Sequence, residues 1–194
     1  MQDITSNEAS FILTLFKHPE VEYNANSIAK VLGITSMGAL KIAKQLEKEE
    51  ILVSKQLGRA IFYKLNVQND YVIDYLKFLL KRESMQALPY IRRWVNEIKK
   101  IKSANAAILF GSVLKKRDEA KDIDVLVLTD KKGFSKLKKE IEAINLVNDK
   151  KLHPLFQTEE DLIKNIKSRD NIVLNAIKGI AVFGEDKLIS LLEK

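Results

Sequence analysis

Two aspartates one residue apart, Asp122-Ile123-Asp124, are the side chains in this sequence best suited to metal-assisted chemistry. Residues two apart on an extended strand point to the same side, so both carboxylates would face one place. Side by side they repel unless they share divalent cations, and Mg²⁺ favours carboxylates completed by phosphate oxygens. Upstream, with nine residues between, stand Gly111-Ser112, at the end of the apolar run Ala106–Phe110. Glycine permits close backbone approach to a ligand, and free N–H groups with the Ser112 hydroxyl suit a triphosphate. Lys115 follows closely, with Lys116 and Arg117, and is a candidate for phosphate contact. Phosphates held over one or two metals is the arrangement that nucleotidyl transfer needs.

A second group lies nearer the start. The turn Leu32-Gly33-Ile34-Thr35 separates two helical patterns, and the helix after it would bury Ala39, Leu40, Ala43 and Leu46. Its opposite face then offers Ser36, Met37, Lys41, Lys44, Gln45 and Lys48. The three lysines are spaced by three and four residues and so line one face. Lys55 and Arg59, in a hairpin further on, would reach an adjacent phosphate or the minor groove. These eight residues are the DNA-binding candidates. A lysine face that is merely solvated, or one that serves a protein partner, is the plainer alternative.

The elements that must position these groups follow from periodicity. Residues 5–17 read as a helix capped by Thr5 or Ser6, ended by His18-Pro19. Asn24 caps a second helix that Gly33 stops, and Thr35 caps a third running to about Glu49. Ile51–Gln56 and Ala60–Leu65 flank Leu57-Gly58-Arg59 as a hairpin. Residues 68–101 are helical in pattern and divided at Pro89. Beyond Ser103 the period changes. Ala106–Phe110 and Ile123–Leu128 read as buried strands, followed by a helix near Phe134–Val147, a strand near Lys151–Gln157 and a helix opening at Thr158. Residues 170–178 are helical, Ile180–Phe183 is a short strand, and Asp186–Lys194 closes as a helix. The fold class expected is α+β: a winged helix-turn-helix (residues 1–67), a helical connector (68–102) and an α/β domain (103–194).

Composition excludes several classes. There is no cysteine, hence no disulfide and no thiolate metal site. No apolar run approaches the roughly 18 residues of a membrane span. The N-terminus lacks the basic and apolar regions of a secretory signal, so a cytoplasmic protein without a membrane partner is expected. The net charge is +7. It is unevenly placed: eight basic and eight acidic residues in 1–70, eight and three in 71–102, seventeen and fifteen in 103–194. A neutral N-terminal segment binds DNA only if its cations gather on one face. The apolar residues Tyr75, Leu79, Ile91, Trp94 and Ile98 of the connector suggest a homodimer seam or, equally, packing on the chain's own domains.

The stretch Asn24–Leu65, with "SIAKVLGITSMGALKIAKQLEKEEILVSK", resembles the winged-helix transcriptional regulators of bacteria and archaea. It departs at Glu50, where that family often has a glycine closing the helix. Residues 104–194 resemble the minimal nucleotidyltransferases of the DNA polymerase β superfamily. Their signature is a Gly-Ser followed about ten residues later by Asp-x-Asp, and "GIAVFGED" matches their late strand-turn. The resemblance implies that Gly111 and Ser112 bind triphosphate and that Asp122 and Asp124 are catalytic and bind Mg²⁺. It also implies a third carboxylate on the next strand. Here that strand, Lys151–Gln157, contains no acid, and His153 is the candidate for the third catalytic position, as a base or as a ligand for a softer metal.

Together these readings predict a protein that binds double-stranded DNA and a nucleoside triphosphate, ATP foremost, with Mg²⁺. The activity would be transfer of a nucleoside monophosphate to an acceptor. The alternatives are a transcriptional regulator whose nucleotidyltransferase domain is weak or inactive and senses nucleotide, and an antitoxin-like protein that acts on a partner toxin.

Overall fold

A computed structural model describes residues 4–130 and 133–192. The chain divides into two compact units, Met1–Leu79 and Leu80–Leu192.

The first unit opens with α1 (Ser6–Lys17), then β1 (Tyr23–Asn24), α2 (Ala25–Leu32), α3 (Ser36–Lys48), β2 (Leu52–Leu57) and β3 (Ala60–Leu65). Its helix starts are set by side chains that satisfy the orphan N–H groups of a first turn. Thr5 and Glu8 form a reciprocal capping box, Asn24 and Ser27 do the same, and Thr35 accepts from the Gly38 N–H. Gly33 adopts φ +66° and ends α2, with the Ile34 N–H reaching back to the Ala29 carbonyl. The three strands form a sheet in the order β1-β3-β2, antiparallel throughout, with Leu57 opposite Ala60 across a two-residue turn. Phe11, Ile12, Ile28, Ala39, Ala43, Leu46 and Tyr63 are buried, Phe11 standing edge-on to Tyr63. Helix, strand, helix, tight turn, helix and hairpin is the winged-helix order expected from the sequence; the two-residue β1 is an addition. Leu40 is half-buried rather than part of the buried stripe.

Helix α4 (Asp70–Gln86) spans the division between the units, and α5 (Pro89–Ile98) begins with its proline at the first helical position. In the second unit follow β4 (Ala106–Phe110), α6 (Val113–Lys116), a 3₁₀ turn at Arg117–Glu119, β5 (Ile123–Leu128), α7 (Phe134–Val147) and β6 (Leu152–Gln157). The unit ends with α8 (Glu159–Lys167), α9 (Asn171–Ile177), β7 (Ile180–Phe183) and α10 (Glu185–Leu192). The sheet order is β6-β5-β4-β7; β5 runs antiparallel to β4 and parallel to β6. Helices cover both faces, which is why β4 and β5 read as nearly unbroken apolar runs. Trp94, Ile98, Leu137 and Ile141 pack on one face with Leu109, Val125 and Val127. Helices α8, α9 and α10 lie on the other. Edge strand β6 tolerates Pro154, which has no N–H to give the ladder.

Ile91, Trp94 and Ile98 thus lie within this core and are 3% exposed or less. These three are covered by the chain's own core, whereas Tyr75, named with them, is half-buried on α4. Among the described residues, no helix is long and apolar enough to cross a membrane.

Candidate functional site

The turn after β4 meets the start of β5 and β6 at one end of the second sheet. Phe110, Asp124 and His153 are cross-strand partners: Phe110 pairs with Asp124 in the antiparallel ladder, and Asp124 with His153 in the parallel one. Paired residues share a face, so Asp124 and His153 emerge together. The His153 Nδ1 lies 3.3 Å from Asp124 Oδ1. The other carboxylate oxygen is turned towards Gly111. Gly111 sits at φ +81°, and a Cβ there would collide with the carboxylate, whose Cγ would be only 2.8 Å away. Glycine is required at this position by both its backbone angle and the carboxylate over it. Asp124 is partly buried, whereas His153 has 74% of its side chain exposed.

Asp122 is exposed in the bend just before β5, two residues from Asp124. Ser112 is half-buried at the start of α6, and Lys115 is exposed on that one-turn helix. Gly111, Asp124 and His153 are therefore brought into one cluster, with Ser112 adjacent in sequence and Asp122 at the strand's mouth. Asp149 and Glu159, the other acids flanking β6, stand elsewhere. Asp149 pairs with Arg93 at 3.1 Å, and Glu159 pairs with Lys187 beyond the far end of β6.

The loop leading to Asp122 has a support that no sequence pattern marks. The Lys150 ammonium donates to the carbonyls of Asp118 and Ala120, and lies over the Tyr90 ring. Asn145 Oδ1 accepts from the Leu152 N–H at 2.7 Å and fixes the first residue of β6. These contacts are made by groups far apart in the chain, so only the folded strand order shows them. A cavity of about 260 Å³ lined by Thr129, Phe134, Phe156 and Asp161 opens at the opposite end of β5 and β6. It is separated from the Asp124 cluster by the length of the strands, and the chemistry-bearing groups are at the other end.

An ion fits the donor set in its chemistry. A carboxylate oxygen and an imidazole nitrogen stand 3.3 Å apart, both of them ligand types for a divalent cation. Among the described residues, no group of three or more His, Cys, Asp and Glu side chains is disposed to hold an ion by itself.

Residues 95–188 match the family described as "Polymerase beta, Nucleotidyltransferase". This segment is a polymerase β-type nucleotidyltransferase domain. The matched segment begins in α5, and it contains Gly111, Ser112, Asp122, Asp124 and His153. A comparison with curated proteins finds no match. Among solved structures, similar chains include mutant forms of Lactococcus lactis ZitR. One is 18% identical with a TM-score of 0.29, covering 51% of this chain and 77% of that one. Another is 14% identical with a TM-score of 0.30, covering 51% and 73%. The zinc-dependent MarR family transcriptional regulator AdcR, in its Zn(II)-bound state, is 18% identical with a TM-score of 0.26, covering 53% and 80%. TM-scores this low do not establish a shared fold, and the winged-helix order of the first unit rests on its own elements and registers.

In that first unit, α3 exposes Ser36, Met37, Lys41, Lys44 and Lys48, and the hairpin exposes Lys55 and Arg59. Met37 is 74% exposed. Gln45 is half-buried, and its amide donates to Glu49 Oε1 at 2.5 Å. It is therefore the one member of the expected set with its polar head already engaged within the helix.

Proposed function

We propose that the nucleotidyltransferase domain binds a nucleoside triphosphate with a divalent cation and transfers its nucleoside monophosphate to an acceptor, while the winged-helix unit binds double-stranded DNA. The observation that carries the first half is the Asp124 carboxylate seated on Gly111 within the matched segment. It joins the Gly-Ser turn to the Asp-x-Asp strand in one place. Gly111 and Ser112 hold the triphosphate, Lys115 adds a cation at its edge, and Asp122, Asp124 and His153 face the metal. A bound divalent cation supplies charge neutralisation at the phosphates. In the transfer, an acceptor hydroxyl oxygen forms the new bond to the α-phosphorus. The bond to the β-phosphate oxygen breaks, pyrophosphate leaves with that electron pair, and the hydroxyl proton passes to water. ATP is the substrate to try first. The protein would act in the cytoplasm.

The DNA-binding half is supported by the exposed row Lys41, Lys44 and Lys48 after a short turn, with Lys55 and Arg59 on the hairpin beside it.

A second reading is favoured by one observation: β6 contains no acid, and the register partner of Asp124 on it is His153. On that reading the domain binds nucleotide but transfers slowly, and the protein is a regulator that senses nucleotide or an antitoxin-like partner of another protein.

Calorimetry with a non-hydrolysable ATP analogue and Mg²⁺, on the wild type and on Asp122→Asn and Asp124→Asn, tests the site. Both variants should lose metal-dependent binding. Wild-type affinity in both would overturn the assignment. Transfer of label from α-labelled nucleoside triphosphates into lysate components then separates the enzyme from the sensor.

A further inference from the structure

From the geometry of Asp124 and His153 we infer that this site selects a transition-metal cation that accepts imidazole, such as Co²⁺ or Zn²⁺, over Mg²⁺, and takes it up only together with the nucleotide. The inference rests on the nucleotide-binding reading above.

Three observations carry it. The first is spacing. Metal bonds to nitrogen and oxygen of about 2.0–2.2 Å place adjacent ligands about 3.0 Å apart in an octahedron and about 3.4 Å apart in a tetrahedron. His153 Nδ1 and Asp124 Oδ1 stand 3.3 Å apart, so one ion can bind both with little rearrangement.

The second is ligand type. Mg²⁺ prefers hard oxygen ligands, whereas imidazole suits the later first-row metals. An imidazole also leaves the pair with less negative charge than two carboxylates would provide. This weakens the hold on a hard cation more than on one that bonds well to nitrogen.

The third is number. No group of three or more such side chains encloses an ion among the described residues. The Asp124–His153 pair supplies two ligands as placed, and Asp122, phosphate oxygens and water must complete the shell. Gly111 lies against the same carboxylate, so the turn that would carry those phosphates and the Asp124 side chain meet at one place. The protein alone should hold metal weakly, and the complex with nucleotide firmly.

The chain has only two histidines, His18 and His153, which makes imidazole ligation simple to read. Full-length protein would be titrated with Co²⁺ and with Mg²⁺, with and without a non-hydrolysable ATP analogue. The free analogue, titrated alike, serves as the reference for its own metal preference. Proton NMR would follow hyperfine-shifted ring signals of Co²⁺-bound histidine. The wild-type complex should prefer Co²⁺ by at least about tenfold more than the free analogue does. It should also show shifted imidazole signals that are absent without the analogue. His153→Ala should lose both the signals and the excess preference, and His153→Asp should move the preference towards Mg²⁺. A wild type no more selective than the free analogue, or shifted signals surviving in His153→Ala, would overturn the metal assignment while leaving nucleotide binding standing. Strong Co²⁺ binding without the analogue would overturn the shared shell. Failure of the analogue to bind with either cation would overturn the nucleotide reading and this inference with it.

Discussion

The Asp124 carboxylate lies over the Cα of Gly111, so close that any side chain at residue 111 would displace it. The backbone there is at φ +81°, a region in which an L-residue is strained by about 1–2 kcal/mol. Gly111→Ala should therefore destabilise the second unit by at least about 2 kcal/mol, the strain and the displaced carboxylate together. It should abolish metal-dependent nucleotide binding as well. Urea unfolding and calorimetry check both. Shortening the clashing partner should recover part of the loss, so Gly111→Ala combined with Asp124→Ala should cost less than the two single changes added. Strict additivity would mean that the two residues do not meet as described.

Much of this arrangement was legible in the sequence, because local chemistry determines it. Thr5, Asn24, Thr35 and Thr158 cap the helices expected of them, and β4 and β5 occupy the expected residues. Buried strands and N-caps are set by neighbours in the chain. The pairing of Asp124 with His153 depended on β6 lying parallel to β5, and the bare strand Lys151–Gln157 gave only the face of His153. The roles of Lys150, Asn145 and Arg93 were illegible, since their partners are set by tertiary packing. The same holds for Ile91, Trp94 and Ile98, whose periodicity marks a buried face without saying what buries it.

Glu50 illustrates a local departure with a measurable consequence. It closes α3 in the left-handed region, at φ 58°, with the Ile51 N–H bonded to the Leu46 carbonyl and the Glu50 N–H to the Glu47 carbonyl. This is the paired closure that ordinarily uses glycine. Glu50→Gly should stabilise the first unit by about 1 kcal/mol, since glycine meets no steric penalty there. A rise in thermal midpoint would show it. An unchanged or lower midpoint would mean that the Glu50 side chain makes a compensating interaction.

For the DNA-reading helix, the lysine row and the engaged glutamine lead to different expectations. Lys41→Glu with Lys44→Glu should abolish a duplex gel shift. Single alanine changes at Lys41, Lys44 or Lys48 should each lower the salt slope of binding by about one. Gln45→Ala should change affinity little, because its amide is already bonded to Glu49. Binding that survives the double charge reversal would move the contact surface off α3.

Glu140 predicts an acid sensitivity of the second unit. Burial alone would raise its pKa, but the Ser103 hydroxyl and the Lys102 and Ser103 N–H groups donate to it and hold it below its ordinary value of 4.5. A carboxyl that ionises more readily when folded stabilises the fold fully above its unfolded pKa. That contribution falls as pH drops below about 4.5 and is gone beneath the folded value. Glu140→Gln should cost about 1–2 kcal/mol at neutral pH and flatten the loss of stability on acidification. Parallel pH–stability curves for the two proteins would show that Glu140 does not contribute this dependence.

The final prediction concerns the effect of His153 on transfer. Asp124 and His153 are register partners, so a carboxylate at residue 153 would share a face with Asp124. The two acids nearby cannot substitute as placed: Asp149 is turned to Arg93, and Glu159 lies past the other end of β6. With Mg²⁺ as the only cation, the wild type should transfer slowly, because an imidazole adds no negative charge to hold a hard ion against the phosphates. His153→Asp restores that charge in the same register. It should raise single-turnover Mg²⁺-dependent transfer by at least about tenfold, an effect of about 1.4 kcal/mol on the barrier. His153→Ala, which supplies neither charge nor ligand, should stay at or below the wild-type rate. Single-turnover measurement matters here, since slow product release would hide a faster chemical step. Brisk wild-type transfer in Mg²⁺ that His153→Ala leaves untouched would show that the reaction does not use this position. A His153→Asp variant that binds Mg²⁺-nucleotide more tightly without transferring faster would place the limit elsewhere in the site, with Asp122 the next residue to test.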